Sequence, residues 1–249
     1  MPLIVGHRGA RGLRPENSLR GFRDAVALGI EGVEFDIHAC RDAEIAVIHD
    51  ATLERTTHGS GFVSALRADD LSHATLRDGD GEGVPTLDQV LDVLQPTNLE
   101  LQIEIKTDAL GNRYPALEPR LIEKILARGL QGRTIVVSFV PEILEYALAC
   151  WPDARLLASL DRRSAELLGG LAAALDQLAA LPGCIVAIEK GLLRQTFAFC
   201  LERLGSDRLG VYTANEPDEI AHWMQAPIRH VVTDRPDLAL AARMNGGES

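Results

Sequence analysis

The stretch GVEFDIH, residues 32–38, has the alternation expected of a buried β-strand with two chemically different faces. Because successive side chains of a strand point to opposite faces, Glu34, Asp36 and His38 share one face, and three apolar residues share the other. Strands of a parallel sheet are usually apolar on both faces, so two buried carboxylates require compensating cations or hydrogen bonds. The stretch therefore indicates a sheet whose polar face belongs to a site.

A second acidic strand, LELQIEIK at residues 99–106, repeats this arrangement. Its alternation places Gln102, Glu104 and Lys106 on one face and apolar residues on the other. Three carboxylates on two rigid strands form an oxygen-rich site suited to a hard divalent cation such as Mg²⁺ or Ca²⁺. The three are Glu34, Asp36 and Glu104. The alternative is that these acids form buried ion pairs with Lys106 and Arg8, although such pairs rarely stabilise a protein more than apolar packing does.

Eight apolar runs alternate with eight helical patterns along the chain. The predicted strands cover residues 3–6, 32–38, 99–106, 133–139, 154–160, 184–189, 208–213 and 229–234. The predicted helices cover residues 18–29, 86–94, 116–129, 141–151, 164–181, 192–205, 216–225 and 236–244. At 249 residues this pattern predicts an α/β fold, a closed (β/α)8 TIM barrel ahead of an open doubly wound sheet, as one domain over residues 1–249.

One connection departs from the alternation. A short apolar run at residues 44–50 follows the first acidic strand at hairpin distance, and residues 51–85 are then polar and rich in glycine. A loop of this length is usually a functional lid or a small inserted subdomain. We therefore expect a small insertion after the second strand, at about residues 51–85, with Arg55, Thr56 and Thr57 as its scaffold.

The composition narrows the classes of partner. Lys and Arg number 25 against 36 Asp and Glu, and a net charge of -11 argues against nucleic acid or a stable association with an anionic membrane. The four cysteines form no CxxC pair, so neither a disulfide framework nor a zinc site is expected. No signal peptide or spanning apolar stretch is visible, which favours a cytoplasmic protein. The oligomeric state stays open, with a homo-oligomer among the alternatives.

Two histidines end predicted strands near the acidic cluster. His7 ends the first strand within GHRG (residues 6–9), and His49 lies at the end of the run at residues 44–50. Histidine is the side chain best suited to proton transfer near neutral pH, and the active sites of barrels lie at the carboxyl ends of their strands.

These motifs, taken in order, resemble the glycerophosphodiester phosphodiesterase family. The matching segments are GHRG (6–9), PENS (15–18), VEFDIH (33–38), VIHD (47–50), ERTTHGSG (54–61), IEIK (103–106), YTAN (212–215) and VTDRPD (232–237). The resemblance implies a TIM barrel that uses a divalent cation to hydrolyse small glycerophosphodiesters to sn-glycerol 3-phosphate and an alcohol. Mn²⁺ is a further candidate for the cation.

The resemblance also implies a role for each matching position. His7 and His49 match the acid/base pair of the family. The metal ligands correspond to Glu34, Asp36 and Glu104. The phosphate contacts correspond to Arg8 and Lys106.

Two positions depart from the family pattern. Tyr212 stands where the family usually has tryptophan, and it is expected to cover the glycerol or alcohol group of the substrate. The turn after the acidic strand has Ala43 where the family commonly has glycine. Glu189, which ends the sixth predicted strand, is a further candidate for a substrate contact.

Several alternatives remain open. A phospholipase D-type reaction on lysophospholipids is one, and a catalytically silent barrel that binds phosphodiesters is another. The nucleophile is either water or the glycerol 2-hydroxyl of the substrate. The preferred alcohol, the physiological metal and the assignment of acid and base between the two histidines are not indicated.

Overall fold

Eight parallel strands close into a barrel in the computed structural model, which describes residues 1–246. In chain order the strands are β1 (Leu3–His7), β2 (Gly32–Ala39), β3 (Ile45–Val47), β4 (Glu100–Ile105), β5 (Thr134–Ser138), β6 (Arg155–Leu160), β7 (Ile185–Glu189), β8 (Leu209–Tyr212) and β9 (His230–Thr233). β1 pairs with both β2 and β9, which closes the ring, and β3 lies outside it as an antiparallel partner of β2. With helices connecting the strands, this is the predicted (β/α)8 TIM barrel.

The helices follow the predicted order with two exceptions, an additional short helix in the segment after β3 and a division of the helix predicted over residues 164–181. They are α1 (Leu19–Leu28), α2 (Ala68–Ser72), α3 (Leu87–Leu94), α4 (Leu117–Ala127), α5 (Pro141–Cys150), α6 (Arg162–Leu167), α7 (Leu171–Ala179), α8 (Lys190–Leu204), α9 (Pro217–Met224) and α10 (Pro236–Gly246). The prediction of one helix over residues 164–181 is wrong. Gly169 and Gly170 have φ angles of 89° and 99°, a conformation that ends α6 before α7 begins. Within residues 1–246, no helix combines the length and the apolar character needed to cross a bilayer.

The two faces of the barrel strands differ as the alternation predicts. On β2 and β4 the apolar side chains point outward and belong to the main core beneath the helices; they are Val33, Phe35, Ile37, Leu101, Ile103 and Ile105. A separate apolar cluster fills the interior on the side of β5, β6 and β7, and comprises Ile135, Val137, Leu157, Ile185 and Ala187. The charged groups therefore share the interior with an apolar wall on the opposite side.

The segment between β3 and α3, residues 48–85, packs around apolar residues of its own. Six of its side chains are buried together with Cys40 and Ala46 of the β2–β3 hairpin: Ile48, Leu53, Val63, Leu71, Leu76 and Val84. The segment is also attached to α1, because the carboxylate of Glu82 accepts a hydrogen bond from the backbone N–H of Leu19 and Asp80 pairs with Arg20. These contacts give the segment a defined position beside the start of α1.

The amino-terminal end of the barrel interior is closed by a buried imidazole. His230 is completely buried, neither of its ring nitrogens has a hydrogen-bond partner in the described part of the chain, and a Cβ atom at Gly210 would lie 2.3 Å from the ring. Glycine is therefore required at position 210 to make room for it. Beneath it, the carboxylate of Glu100 contacts the guanidinium groups of Arg155 and Arg229.

We predict that Ala43→Gly stabilises the protein. Ala43 is exposed in the β2–β3 turn with a φ of 71°, where an L-residue is strained and glycine is not. The free energy of unfolding in urea should rise by about 0.5–1 kcal/mol. As a control, Ala198→Gly at an exposed position inside α8 should lower it by a similar amount, about 0.5–1 kcal/mol. A decrease at both positions would contradict the prediction.

A second prediction concerns the pH dependence of stability. Burial, helped by the charge of Arg229 and opposed by that of Glu100, lowers the pKa of His230 from 6.5 to about 4. Between these two pH values the unfolded chain binds a proton that the native protein does not. The free energy of unfolding is therefore highest above pH 6.5 and falls as the pH drops toward 4. His230→Leu should reduce this loss by about 3 kcal/mol, measured as unfolding free energies across the range.

The exposed His58 supplies the control for this comparison. His58→Gln should keep the wild-type pH dependence of unfolding. If the unfolding free energy of His230→Leu depended on pH as that of the wild type does, the buried imidazole would not be the cause of this pH dependence.

Candidate active site

A cavity of about 280 Å³ lies at the carboxyl ends of the barrel strands. Seven of the nine predicted site residues line it: His7, Arg8, Glu34, His49, Glu104, Lys106 and Tyr212. The apolar wall is formed by Val137, Phe139, Leu157, Ala187 and Val232. A larger cleft of about 420 Å³ lies between residues 11–20 and 77–82 and contains none of the nine, so the smaller cavity is the candidate active site.

Three carboxylates meet at the polar side of this cavity; Glu34 and Glu104 line it, and Asp36 is buried beside them outside the lining. Parallel pairing sets Asp36 of β2 directly beside Glu104 of β4, and it sets Glu34 beside Gln102. One oxygen from each of Glu34, Asp36 and Glu104 lies within 4.8 Å of the other two, and all three residues are buried. The rigid register of neighbouring strands therefore produces the convergence expected from the alternation.

Burial and mutual repulsion shift the acidities of this group. Burial, together with the charges of Asp36 and Glu104, raises the pKa of Glu34 well above its usual value. Burial also raises the pKa of Glu104, and the charge of Asp36 adds to this effect. For Asp36 the charges of Lys106 and Arg8 outweigh burial and lower its pKa. The carboxylates are thus unequal, with Asp36 the most firmly ionised.

Two cations balance the three carboxylates in part. Lys106 Nζ lies 2.5 Å from Glu104 Oε1 and 3.0 Å from Asp36 Oδ1. Arg8 Nε lies 3.3 Å from Asp36 Oδ2, and Asn17 Nδ2 donates to that same oxygen at 2.9 Å. The ion pairs of the alternative interpretation are therefore present, but two cations do not neutralise three carboxylates.

This donor set fits a hard divalent cation. The oxygen atoms are close enough to share one ion, and among residues 1–246 Glu34 makes only one hydrogen bond, from the backbone N–H of Arg8 at 3.1 Å. Carboxylate oxygens are the ligands that Mg²⁺ and Ca²⁺ prefer. A bound dication would also remove the repulsion among the three groups. The cluster could therefore hold a metal ion.

His7 is oriented by a carboxylate from the last strand–helix connection. Its Nδ1 lies 2.5 Å from Asp234 Oδ1, and Asn215 Nδ2 donates to Asp234 Oδ2 at 2.8 Å. Burial acts to raise the pKa of Asp234, but the hydrogen bond from His7 outweighs it and the pKa is lowered. An ionised acceptor requires the proton on Nδ1, so Nε2 of the neutral ring carries the free lone pair.

His49 has an equivalent partner in the next residue. Its Nδ1 lies 2.7 Å from Asp50 Oδ1. Burial opposes ionisation of Asp50, but hydrogen bonds from Arg55 and His49 lower its pKa to about 2. Burial lowers the pKa of His49 itself, as it does that of His7. Each histidine thus presents Nε2 and keeps Nδ1 on a carboxylate.

His38 and Glu189 lie outside the cavity lining. His38 shares the polar face of β2, but its ring nitrogens bond to the Tyr114 hydroxyl at 2.8 Å and the His49 carbonyl at 3.0 Å. Glu189 accepts hydrogen bonds from the backbone N–H groups of Gly191 and Leu192 at 2.8 and 2.9 Å, which places its carboxylate at the start of α8.

Tyr212 packs against the aromatic part of the cavity wall. Its ring meets that of Phe139 edge to face at 5.9 Å, and Lys106 Nζ lies 5.8 Å from the centre of the Phe139 ring. The hydroxyl of Tyr212 is buried and has no hydrogen-bond partner among the residues that the structure describes, and burial raises its pKa.

Sequence reasoning assigned no role to the carboxylates that hold the two histidines. Asp50 and Asp234 lie within the motifs VIHD and VTDRPD, so the sequence shows both aspartates close to motif residues but does not show what they contact. Asn17 likewise lies within PENS. A rule that a functional imidazole needs an acceptor at its second nitrogen would have drawn attention to the two aspartates.

Comparison with known proteins agrees with the fold and the motifs. The model of the glycerophosphoryl diester phosphodiesterase family matches residues 7–238. A glycerophosphodiester phosphodiesterase of Caldanaerobacter subterraneus subsp. tengcongensis is 34% identical over 142 residues, which is 55% of this chain and 58% of that relative. The chain thus spans little more than half the length of this relative.

Solved structures extend the likeness over the whole fold. A putative glycerophosphoryl diester phosphodiesterase from Agrobacterium tumefaciens superposes with a TM-score of 0.88 at 25% identity, covering all of both chains. An Oleispira antarctica phosphodiesterase, solved in complex with the product sn-glycerol-3-phosphate, gives 0.80 at 22% identity and covers 98% of this chain and 97% of its own. From the family match over residues 7–238, this chain belongs to the glycerophosphoryl diester phosphodiesterase family.

Proposed function

We propose that this protein hydrolyses glycerophosphodiesters to sn-glycerol 3-phosphate and an alcohol. The observation that carries the proposal is the convergence of two imidazoles, two cations and an acidic cluster on one cavity of about 280 Å³. The imidazoles can transfer protons, the cations can bind a phosphate, and the carboxylates can hold a divalent ion. Family membership and the 34% identity to a named glycerophosphodiester phosphodiesterase support the same reaction class.

The metal ligands in this proposal are Glu34, Asp36 and Glu104, with Mg²⁺, Ca²⁺ or Mn²⁺ as the ion. When bound, a divalent cation supplies Lewis-acid polarisation of a phosphate oxygen and favours ionisation of a coordinated hydroxyl. The chain contributes a buried donor set on two rigid strands, so little reorganisation is required when the ion binds.

His7 and His49 act as the acid/base pair. One imidazole removes a proton from the nucleophile, which is water or the glycerol 2-hydroxyl, and the other protonates the leaving alkoxide. Asp234 and Asp50 hold the two rings with Nε2 as the working nitrogen, as carboxylates do in other acid/base sites. Each aspartate also stabilises the imidazolium form that its histidine adopts during the reaction.

Arg8 and Lys106 bind the phosphate group. Arg8 is buried and Lys106 is half-buried at the cavity wall beside the acidic cluster, where a charge is worth more than in water. They stabilise the negative charge that develops on the phosphate oxygens. Tyr212 covers the glycerol or alcohol part of the substrate. We assign no substrate contact to Glu189, because its carboxylate is already bonded to the start of α8.

We also propose a cytoplasmic location, with small diesters as the partners and neither nucleic acid nor a stable membrane contact. All four cysteines are free thiols, as expected in a reducing compartment, and the net charge of -11 disfavours polyanions.

The function is tested by assaying release of glycerol 3-phosphate from diesters of choline, ethanolamine, glycerol and inositol, with a lysophospholipid alongside. Release from the water-soluble diesters supports the proposal. Turnover of the lysophospholipid alone would favour a phospholipase D-type enzyme, and no metal-dependent turnover of any diester would favour a binding protein.

We predict that a chelator abolishes this activity and that Mg²⁺, Ca²⁺ or Mn²⁺ restores it. An ion that binds only the native state should also stabilise it, by about 2.7 kcal/mol at a concentration 100 times its Kd. Glu104→Gln should weaken metal binding in titration calorimetry, because it removes a ligand and a charge. Lys106→Met should keep metal affinity and lose activity, because an ammonium group cannot coordinate the ion.

Two results would contradict the assignment of Glu104 to metal binding and of Lys106 to phosphate binding. Full activity in excess chelator would exclude the metal site. Equal loss of metal affinity in Glu104→Gln and Lys106→Met would show that their roles are not separate.

We predict that His7→Ala and His49→Ala each lower kcat by roughly 10²–10⁴-fold, the usual size of an acid–base contribution. Metal binding should survive in both. A diester of p-nitrophenol needs little protonation of its leaving group, so it should rescue the variant that lacks the general acid and leave the other slow. The double variant should lose far less than the product of the single losses.

His58 is an exposed histidine, so His58→Ala serves as the control and should retain the wild-type kcat. Near-normal turnover of a natural diester by both single variants would exclude the two-histidine mechanism.

A further inference from the structure

Arg55, in the segment between β3 and α3, bridges two carboxylates from different parts of the chain. Its Nε and Nη2 donate to Asp50 at 2.6 and 3.0 Å, and its Nη1 and Nη2 donate to Glu16 at 2.9 and 2.7 Å. The planar guanidinium can hold two carboxylates at once through paired hydrogen bonds. The bridge therefore joins the segment after β3 to the connection between β1 and α1.

Each of these carboxylates also holds a residue of the candidate active site. Asp50 Oδ1 accepts from His49 Nδ1 at 2.7 Å, and Glu16 Oε1 accepts from Arg8 Nη1 at 2.8 Å. The contacts form an unbroken path from His49 through Asp50, Arg55 and Glu16 to Arg8. Arg55 itself does not line the cavity, so it can act only through the groups that it holds.

The exposure of the bridge argues against a purely stabilising purpose. The side chain of Arg55 is 46% exposed, whereas those of Asp50 and Glu16 are 26% and 10% exposed. Exposed ion pairs add little to the stability of a fold. Without the guanidinium, however, two largely buried carboxylates would repel each other and would be free to turn away from His49 and Arg8.

We propose that Arg55 is a positioning residue that orients the imidazole of His49 and the guanidinium of Arg8 at the same time. The inference rests on the proposed function, because it takes His49 as a proton-transfer group and Arg8 as a phosphate contact. Lysine cannot substitute, since a single ammonium group does not make paired bonds to two carboxylates.

The test compares Arg55→Lys with Arg77→Lys, the same substitution at an exposed arginine of the same segment whose guanidinium donates to the Glu54 carbonyl. With glycerophosphocholine as substrate, Arg55→Lys should lower kcat/KM on the order of 10- to 100-fold, through both a higher KM and a lower kcat. Arg77→Lys should match the wild type. Both variants should keep the wild-type melting temperature within a few degrees and the stabilisation by added Mg²⁺.

Chemical rescue separates positioning from a folding defect. Millimolar guanidinium chloride should restore part of the activity of Arg55→Ala, because the free ion can occupy the gap between the two carboxylates. Sodium chloride at equal ionic strength should not. Equal responses to the two salts would overturn the inference.

A double-mutant cycle tests the path through His49. Arg55→Lys should lose less activity in a His49→Ala background than in the wild type, because part of its effect is already gone. Equal fold-losses in both backgrounds, or wild-type kcat and KM in Arg55→Lys, would overturn the inference alone. Wild-type turnover by His49→Ala would instead overturn the proton-transfer role of His49, and the inference with it. No release of glycerol 3-phosphate by the wild-type protein would overturn the proposed function.

Discussion

Three carboxylates held within 4.8 Å of one another in a buried cavity impose the main electrostatic constraint on this barrel. Like charges in a poorly hydrated interior repel strongly, and only rigid elements can keep them together. The parallel register of β2 and β4 supplies that rigidity. The neighbouring cations, Lys106 and Arg8, compensate part of the charge, and the remaining deficit is what makes the cluster suited to a divalent ion.

The orienting carboxylates form a second layer around this cluster. Asp234 and Asp50 each bond to the Nδ1 atom of a histidine, which determines the tautomer of the neutral ring. Arg55 and Asn215 then hold the aspartates in turn. Each histidine at the cavity therefore depends on a partner that lies farther from it, and these partners come from loops and not from strands.

The site residues that lie on strands could be predicted from the sequence, whereas their partners on loops could not. The period of two along a strand is strict, so the shared orientation of Glu34, Asp36 and Glu104 could be predicted from spacing alone, and the strand count implied a barrel. The partner of His7 could not be identified in this way, because Asp234 lies 227 positions along the chain and reaches the ring only once the barrel has closed.

The remaining differences also have local physical reasons. The pattern over residues 164–181 is apolar at helical spacing throughout, but two adjacent glycines with positive φ interrupt it. Glu189 ends a barrel strand as expected, yet free N–H groups at the start of α8 compete for its carboxylate. Periodicity describes which face of an element is apolar, and it carries no information on which of several nearby donors a side chain will choose.

The side chains that fill the lower half of the barrel restrict how a molecule can enter and leave the cavity. The His230 ring, the side chains of Ile135 and Ile185 and the Glu100 ion pairs occupy the interior beneath the cavity, so within the described part of the chain a bound molecule enters or departs by the rim. In the proposed reaction, both fragments of the cleaved diester leave through this same opening. The loops at that opening therefore control both substrate entry and product release. A substitution that narrows the opening for an entering molecule necessarily narrows it for a departing one.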